Sequence, residues 1–207
     1  MAIELLFDGP EGGPVLVLAH GAGAAMDSPF MEVFAKGLGE RGLRAARFEF
    51  PYMVRRRTEG RRGAPDREAV LLDTWRAVVR ELGGGERCFV GGKSMGGRMA
   101  SMVADELSVR GLVCLGYPFH APGRPEKPRV AHLEALRTPA LIVQGTRDQF
   151  GTRDDVAGYT LSPSITFHWL EDGDHSLEPR KGVSGRGKTE AWAEAMDVVA
   201  EFVRERA

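Results

Sequence analysis

Arg87-Cys88-Phe89-Val90-Gly91-Gly92-Lys93-Ser94-Met95-Gly96-Gly97 is the stretch on which the reading of this chain turns. An apolar run of strand length ends on a small-x-Ser-x-small bend. Met99, Met102, Val103 and Leu107 then recur at helical spacing and form an inward stripe. Glycines on both sides let the helix start close behind the strand, so the serine sits at the tip of a strained turn with its hydroxyl facing a cleft. In a chain with 27 glycines the bend alone is a weak signal. Order strengthens it: Asp148 closes the segment that begins with the apolar run Ala140–Gly145, and His175 follows in Glu171-Asp172-Gly173-Asp174-His175-Ser176. A serine hydroxyl attacks only when a base within hydrogen-bond reach is itself oriented by a carboxylate. Ser94, His175 and Asp148 supply these roles, with Asp154, Asp155, Asp172 and Asp174 as alternatives for the acid. Asp174 is read as shaping the histidine loop.

Outward from the bend, apolar runs at Ile3–Phe7, Pro14–Ala19, Arg44–Phe50, Gly111–Tyr117, Ala140–Gly145 and Ile165–Leu170 predict further strands. Most are continuously apolar rather than alternating, as in a parallel sheet covered on both faces. Ile3–Phe7 is read as an edge strand, antiparallel to the rest. Helical patterns lie between the runs. Ser28 and Pro29 begin one, with Phe30, Val33, Phe34 and Leu38 on its apolar face. Asp66 caps another carrying Leu71, Trp75, Val78 and Leu82, and Trp192, Met196, Val199 and Val203 mark the last. Alternating strands and helices predict an α/β fold: a mostly parallel open sheet with helices on both faces, a ligand cleft at the carboxyl ends of the strands and no large lid.

The 207 residues fit a single domain spanning 1–207, with a formal net charge of -1 and no pull toward nucleic acid or anionic membrane. The N-terminal segment carries an acid where a signal peptide needs a basic region, and no run reaches membrane-spanning length, so the expected location is cytoplasmic, away from membranes. Cys88 and Cys114 fall inside strand-like runs and read as buried packing residues. Neither has metal-site spacing, so no metal is expected.

Two backbone donors are expected for an oxyanion: the amide of Met95, directly after the serine, and that of Ala22 in the loop His20-Gly21-Ala22-Gly23. His20 is read as supporting this loop, and His120, His132 and His168 as structural or exposed. Arg55, Arg56, Arg57, Arg61 and Arg62 crowd the segment after Phe50, predicted as a loop overhanging the same edge. They read as a solvated or self-paired face, as an anion-binding group, with Tyr52, Arg55 and Arg56 the candidate substrate contacts, or, least of the three, as a nucleic-acid contact.

Together these segments resemble the α/β-hydrolase superfamily. The match is closest to its small lidless branch related to dienelactone hydrolase and to the testis-expressed protein 30 and NSL complex subunit 3 group. Nearly the whole chain takes part, through His20-Gly-Ala-Gly-Ala, Phe48-Glu-Phe-Pro-Tyr-Met, Gly91-Gly-Lys-Ser-Met-Gly-Gly, Gly116-Tyr-Pro-Phe-His, Gln144-Gly-Thr-Arg-Asp-Gln-Phe-Gly and Gly173-Asp-His-Ser-Leu. The resemblance implies Ser94, Asp148 and His175 as a triad acting without cofactor on a small-molecule acyl substrate. It departs from dienelactone hydrolase proper, which has a cysteine where this chain has Ser94. The leading expectation is a serine hydrolase of the carboxylesterase or thioesterase type. The alternative is a weakly catalytic or non-catalytic module that binds a protein partner through the arginine segment.

Overall fold

The computed structural model describes residues 3–60 and 63–207; Arg61 and Arg62 of the arginine run lie outside them. Seven strands follow in chain order: β1 (Leu6–Asp8), β2 (Val15–Ala19), β3 (Arg44–Phe48), β4 (Cys88–Lys93), β5 (Leu112–Leu115), β6 (Ala140–Gly145) and β7 (Ile165–Leu170). The helices are α1 (Pro29–Glu40), α2 (Pro51–Glu59), α3 (Glu68–Glu81), α4 (Met95–Val103), α5 (Arg153–Ala157), α6 (Lys181–Ser184) and α7 (Lys188–Arg204). The strands form one sheet in the order β1-β3-β2-β4-β5-β6-β7, parallel except for β1, which runs antiparallel along β3 at the edge.

Continuous apolarity in the inner strands has a direct cause: both faces are covered. Along β2, Val17 and Ala19 point into one apolar layer, while Leu16 and Leu18 point into the other. β6 divides the same way, with Ala140 and Ile142 against Leu141 and Val143. One layer holds Trp75 of α3 and Met99 and Val103 of α4; the other holds Phe34 and Leu38 of α1 with Trp192 and Val199 of α7. Truncating a fully buried aromatic such as Phe34 to alanine would cost about 3–5 kcal/mol. No helix among the described residues is long and apolar enough to cross a membrane, and no large lid lies among the described elements.

The structure corrects three local expectations. The arginine-rich segment is helical, not a loop, over Pro51–Glu59: Pro51 presets the first turn and Gly60, at φ 66°, ends it in the left-handed conformation. Asp66 does not cap α3, whose N-cap is Arg67; its carboxylate instead takes the guanidinium of Arg55. Val33 stays exposed on α1, where Met31 and Ala35 join Phe34 and Leu38 in the core.

Candidate active site

The bend after β4 is strained. Ser94 has φ 52° and ψ -118°, a conformation L-residues rarely hold and one that costs about 1–3 kcal/mol elsewhere. Packing enforces it, because α4 starts against the end of β2: a Cβ on Gly96 would lie 2.4 Å from the carbonyl oxygen of Ala19 and 2.7 Å from that of His20. Only glycine admits this approach. As the first residue of α4, Met95 carries one of the N–H groups that a helix start leaves without an intrahelical acceptor.

Ser94, His175 and Asp148 meet at the carboxyl edge of the sheet. The Ser94 Oγ is 2.8 Å from His175 Nε2, and His175 Nδ1 is 2.7 Å from Asp148 Oδ2. A carboxylate can only accept, so the imidazole donates from Nδ1 and presents Nε2 as acceptor to the serine hydroxyl. Asp148 is fully buried, and donors reach both its oxygens: the Phe150 N–H at 2.9 Å on Oδ1 and the Gln144 Nε2 at 2.9 Å on Oδ2, beside the imidazole. Phe150 also lays its ring against that of His175, with centroids 4.1 Å apart. Three of the four rival acids are engaged elsewhere. Asp172 pairs with Arg180, and Asp155 completes the capping box of α5. Asp174 accepts the N–H groups of Ser176 and Glu178 and so shapes the histidine loop.

The loop after β2 faces the serine from the other side. His20 is fully buried; its Nδ1 donates to Gly21 O at 2.7 Å and its Nε2 accepts the Phe50 N–H at 3.2 Å. Burial lowers its pKa, which keeps it neutral in this supporting role. Tyr52 is buried beneath the loop, outside the cleft lining, and donates its hydroxyl to Ala22 O at 3.1 Å. Ala22 itself lines a cleft of about 420 Å³, together with Ser94, His175, Phe30, Met31 and Phe150.

The arginines separate by partner. Arg55 pairs with Asp66, and Arg57 clamps Asp27 and the buried Glu49, while Arg56 approaches Gly23 O at 3.5 Å at the cleft lip. A larger groove of about 560 Å³ beside Gly83–Gly85 has no serine or histidine in its lining. A second serine–histidine contact, Ser101 Oγ to His132 Nε2 at 2.8 Å, lies on the inner side of α4. There Ser101 is buried and donates to Arg98 O at 2.7 Å, so its proton is committed to the backbone. Cys88 and Cys114 are both buried, and burial raises both thiol pKa values, that of Cys88 to about 11. Among the described residues no cluster of three His, Cys, Asp or Glu could hold a metal ion.

Sequence reasoning missed Gln144, Phe150 and Lys93 as parts of this site. All three stand inside motif segments already singled out, yet their roles depend on contacts across the sheet edge. The fold and the site describe a hydrolase of the α/β type. Residues 12–204 match the alpha/beta hydrolase domain family, and the chain belongs to it. Among solved structures it is similar to an alpha-beta serine hydrolase homologue from Coxiella burnetii, at 21% identity and TM-score 0.69, covering 99% of this chain and 92% of that one. It is likewise similar to a serine hydrolase without lid from Xanthomonas campestris, at 20% identity and TM-score 0.70, covering 98% and 88%. A dienelactone hydrolase from Anabaena variabilis aligns at 18% identity and TM-score 0.74, covering 99% and 92%.

Proposed function

We propose that the chain, as a single catalytic domain, is a serine hydrolase that cleaves a small ester or thioester through an acyl-enzyme. Ser94 attacks the carbonyl carbon as His175 takes the hydroxyl proton. The tetrahedral oxyanion is held by the Met95 and Ala22 amides, and collapse expels the leaving group with the proton returned from His175. Water then repeats the sequence on the acyl-enzyme, with Asp148 holding the imidazole throughout. The observation that carries this reading is the unbroken hydrogen-bond chain from Ser94 Oγ through His175 to Asp148.

The apolar lining of Phe30, Met31 and Phe150 favours a small apolar acyl group. Arg56 at the lip would meet an anionic group extending beyond it. The sequence segments quoted above support placement near the dienelactone-hydrolase-like branch and the testis-expressed protein 30 group. Cytoplasmic location belongs to the same proposal.

Incubation with a fluorophosphonate tests the reading: intact-mass and peptide analysis should find one adduct on Ser94, absent in Ser94→Ala. A folded protein that takes no adduct, and turns over none of a panel of p-nitrophenyl esters and thioesters of graded chain length, would sink it. That outcome would return the arginine face to its other reading, a surface for a protein partner.

A further inference from the structure

Lys93 is the last residue of β4, directly before Ser94, and the chemistry above makes no use of it. Lys93 lines the cleft beside Ser94, and its Nζ donates to the main-chain carbonyl of His175, 82 residues further along the chain. The path it takes is kept open. Gly116, just beyond β5, has φ +65°, and a Cβ there would sit 2.7 Å from His175 O and 3.0 Å from Lys93 Nζ. The Phe30 ring covers the ammonium, with its centroid 5.6 Å away. The carboxylates whose charge acts on Nζ are Asp148 and Asp174; burial outweighs them and brings the Lys93 pKa down to about 8. A lysine desolvated under the histidine loop is a costly arrangement for packing alone, since the stem could reach water at this rim.

Resting on the serine-hydrolase reading, we infer that Lys93 is a positioning residue of the Ser94–His175–Asp148 relay, gripping the base by its own main-chain carbonyl. The grip limits drift of the imidazole, and a misplacement of about 1 Å can cost about 100-fold in rate. Asp148 stabilises the imidazolium that forms when the held ring takes the serine proton.

The test compares wild type with Lys93→Met, which keeps the stem and removes the charge, and with Lys93→Arg, which restores a cation. The His175 ring signals are followed by NMR, assigned through His175→Gln, and kcat and KM are measured for each variant. In Lys93→Met the His175 ring signals should leave their wild-type positions, and kcat should fall about 30-fold or more with KM little changed. Lys93→Arg should recover part of both effects. If either the ring signals or kcat stay at the wild-type value in a folded Lys93→Met protein, the inference fails. Lys93→Gln, whose amide ends one bond short of the Nζ position, decides the same question if the methionine variant does not fold. Absence of any fluorophosphonate adduct in wild type would instead overturn the hydrolase reading. The His175 ring signals would still decide whether Lys93 holds the ring.

Discussion

The indole N–H of Trp192 donates to the carbonyl oxygen of Ser176 at 2.9 Å, so a helix packed on the back of the sheet holds the residue next to His175. Trp192 is itself locked, edge-on to Phe30 at 5.0 Å and tilted against Phe34 at 5.5 Å. Trp192→Phe keeps most of that packing and removes the hydrogen bond. The variant should lose about 1 kcal/mol of stability. On the proposed mechanism its kcat should fall several-fold while KM holds, because the loop carrying His175 loosens. Ester kinetics read against a urea melt separates the two effects; an unchanged kcat would mean that the loop is fixed by other contacts.

Asp148→Asn places an amide where both carboxylate oxygens accept. Oriented one way, its NH2 opposes the Gln144 amide and the imidazole N–H; oriented the other way, it opposes the Phe150 N–H. A donor therefore faces a donor in either orientation, at a cost of about 1–3 kcal/mol. Loss of the orienting carboxylate should lower kcat by about 10³–10⁴-fold with little change in KM. Steady-state kinetics on a p-nitrophenyl ester checks the rate, and thermal melting checks the stability.

Arg57 and Arg56 are neighbours in sequence with opposite expected phenotypes. Arg57→Ala strips the charged partner from Glu49, whose side chain is 4% exposed and keeps the Met26 N–H as a donor, and should cost about 1–3 kcal/mol. Arg56→Ala leaves stability unchanged and should raise KM for acyl substrates bearing a distal carboxylate relative to neutral ones. Equal KM ratios in wild type and Arg56→Ala would exclude a substrate role for this arginine.

Acid sensitivity should come in part from two buried histidines. Burial, aided by the Arg98 charge, lowers the His132 pKa to about 4, and burial lowers that of His20. Both rings are neutral in the folded protein, whereas in the unfolded chain they bind a proton below about pH 6.5. Between about pH 6.5 and pH 4 the unfolded state therefore holds more protons, and stability falls as pH falls. His132 should account for a loss on the order of 2 kcal/mol by pH 5. Urea unfolding at pH 7 and pH 5 should show a smaller difference in His132→Gln than in wild type; equal differences would refute this account.

Much of the architecture was legible because it rests on local pattern. β6 and β7 run over the residues their apolar stretches marked, Ala140–Gly145 and Ile165–Leu170: β6 is buried throughout, and β7, at the sheet edge, keeps an apolar run interrupted by Thr166 and His168. The serine bend and the later aspartate and histidine could likewise be read from spacing and flanking glycines. α2 was missed because its charged stretch hides the Pro51 start and Gly60 stop that bound it. The grips on the histidine loop left no local trace: Lys93 and His175 are 82 positions apart and meet through a backbone carbonyl, which every residue possesses. Tyr52 was expected as a substrate contact, but it lies outside the cleft lining with its hydroxyl on the Ala22 carbonyl, an arrangement that follows only from how α2 docks.

The close seat of Gly96 on the carbonyls of Ala19 and His20 has a consequence for how such a protein diversifies. The spacing between Ser94 and the loop after β2 is dictated by main chain touching main chain at Gly96. A substitution at Met31, which lines the cleft, can therefore reshape what it admits while the distance from Ser94 to that loop stays as it was, leaving selectivity free to evolve on its own.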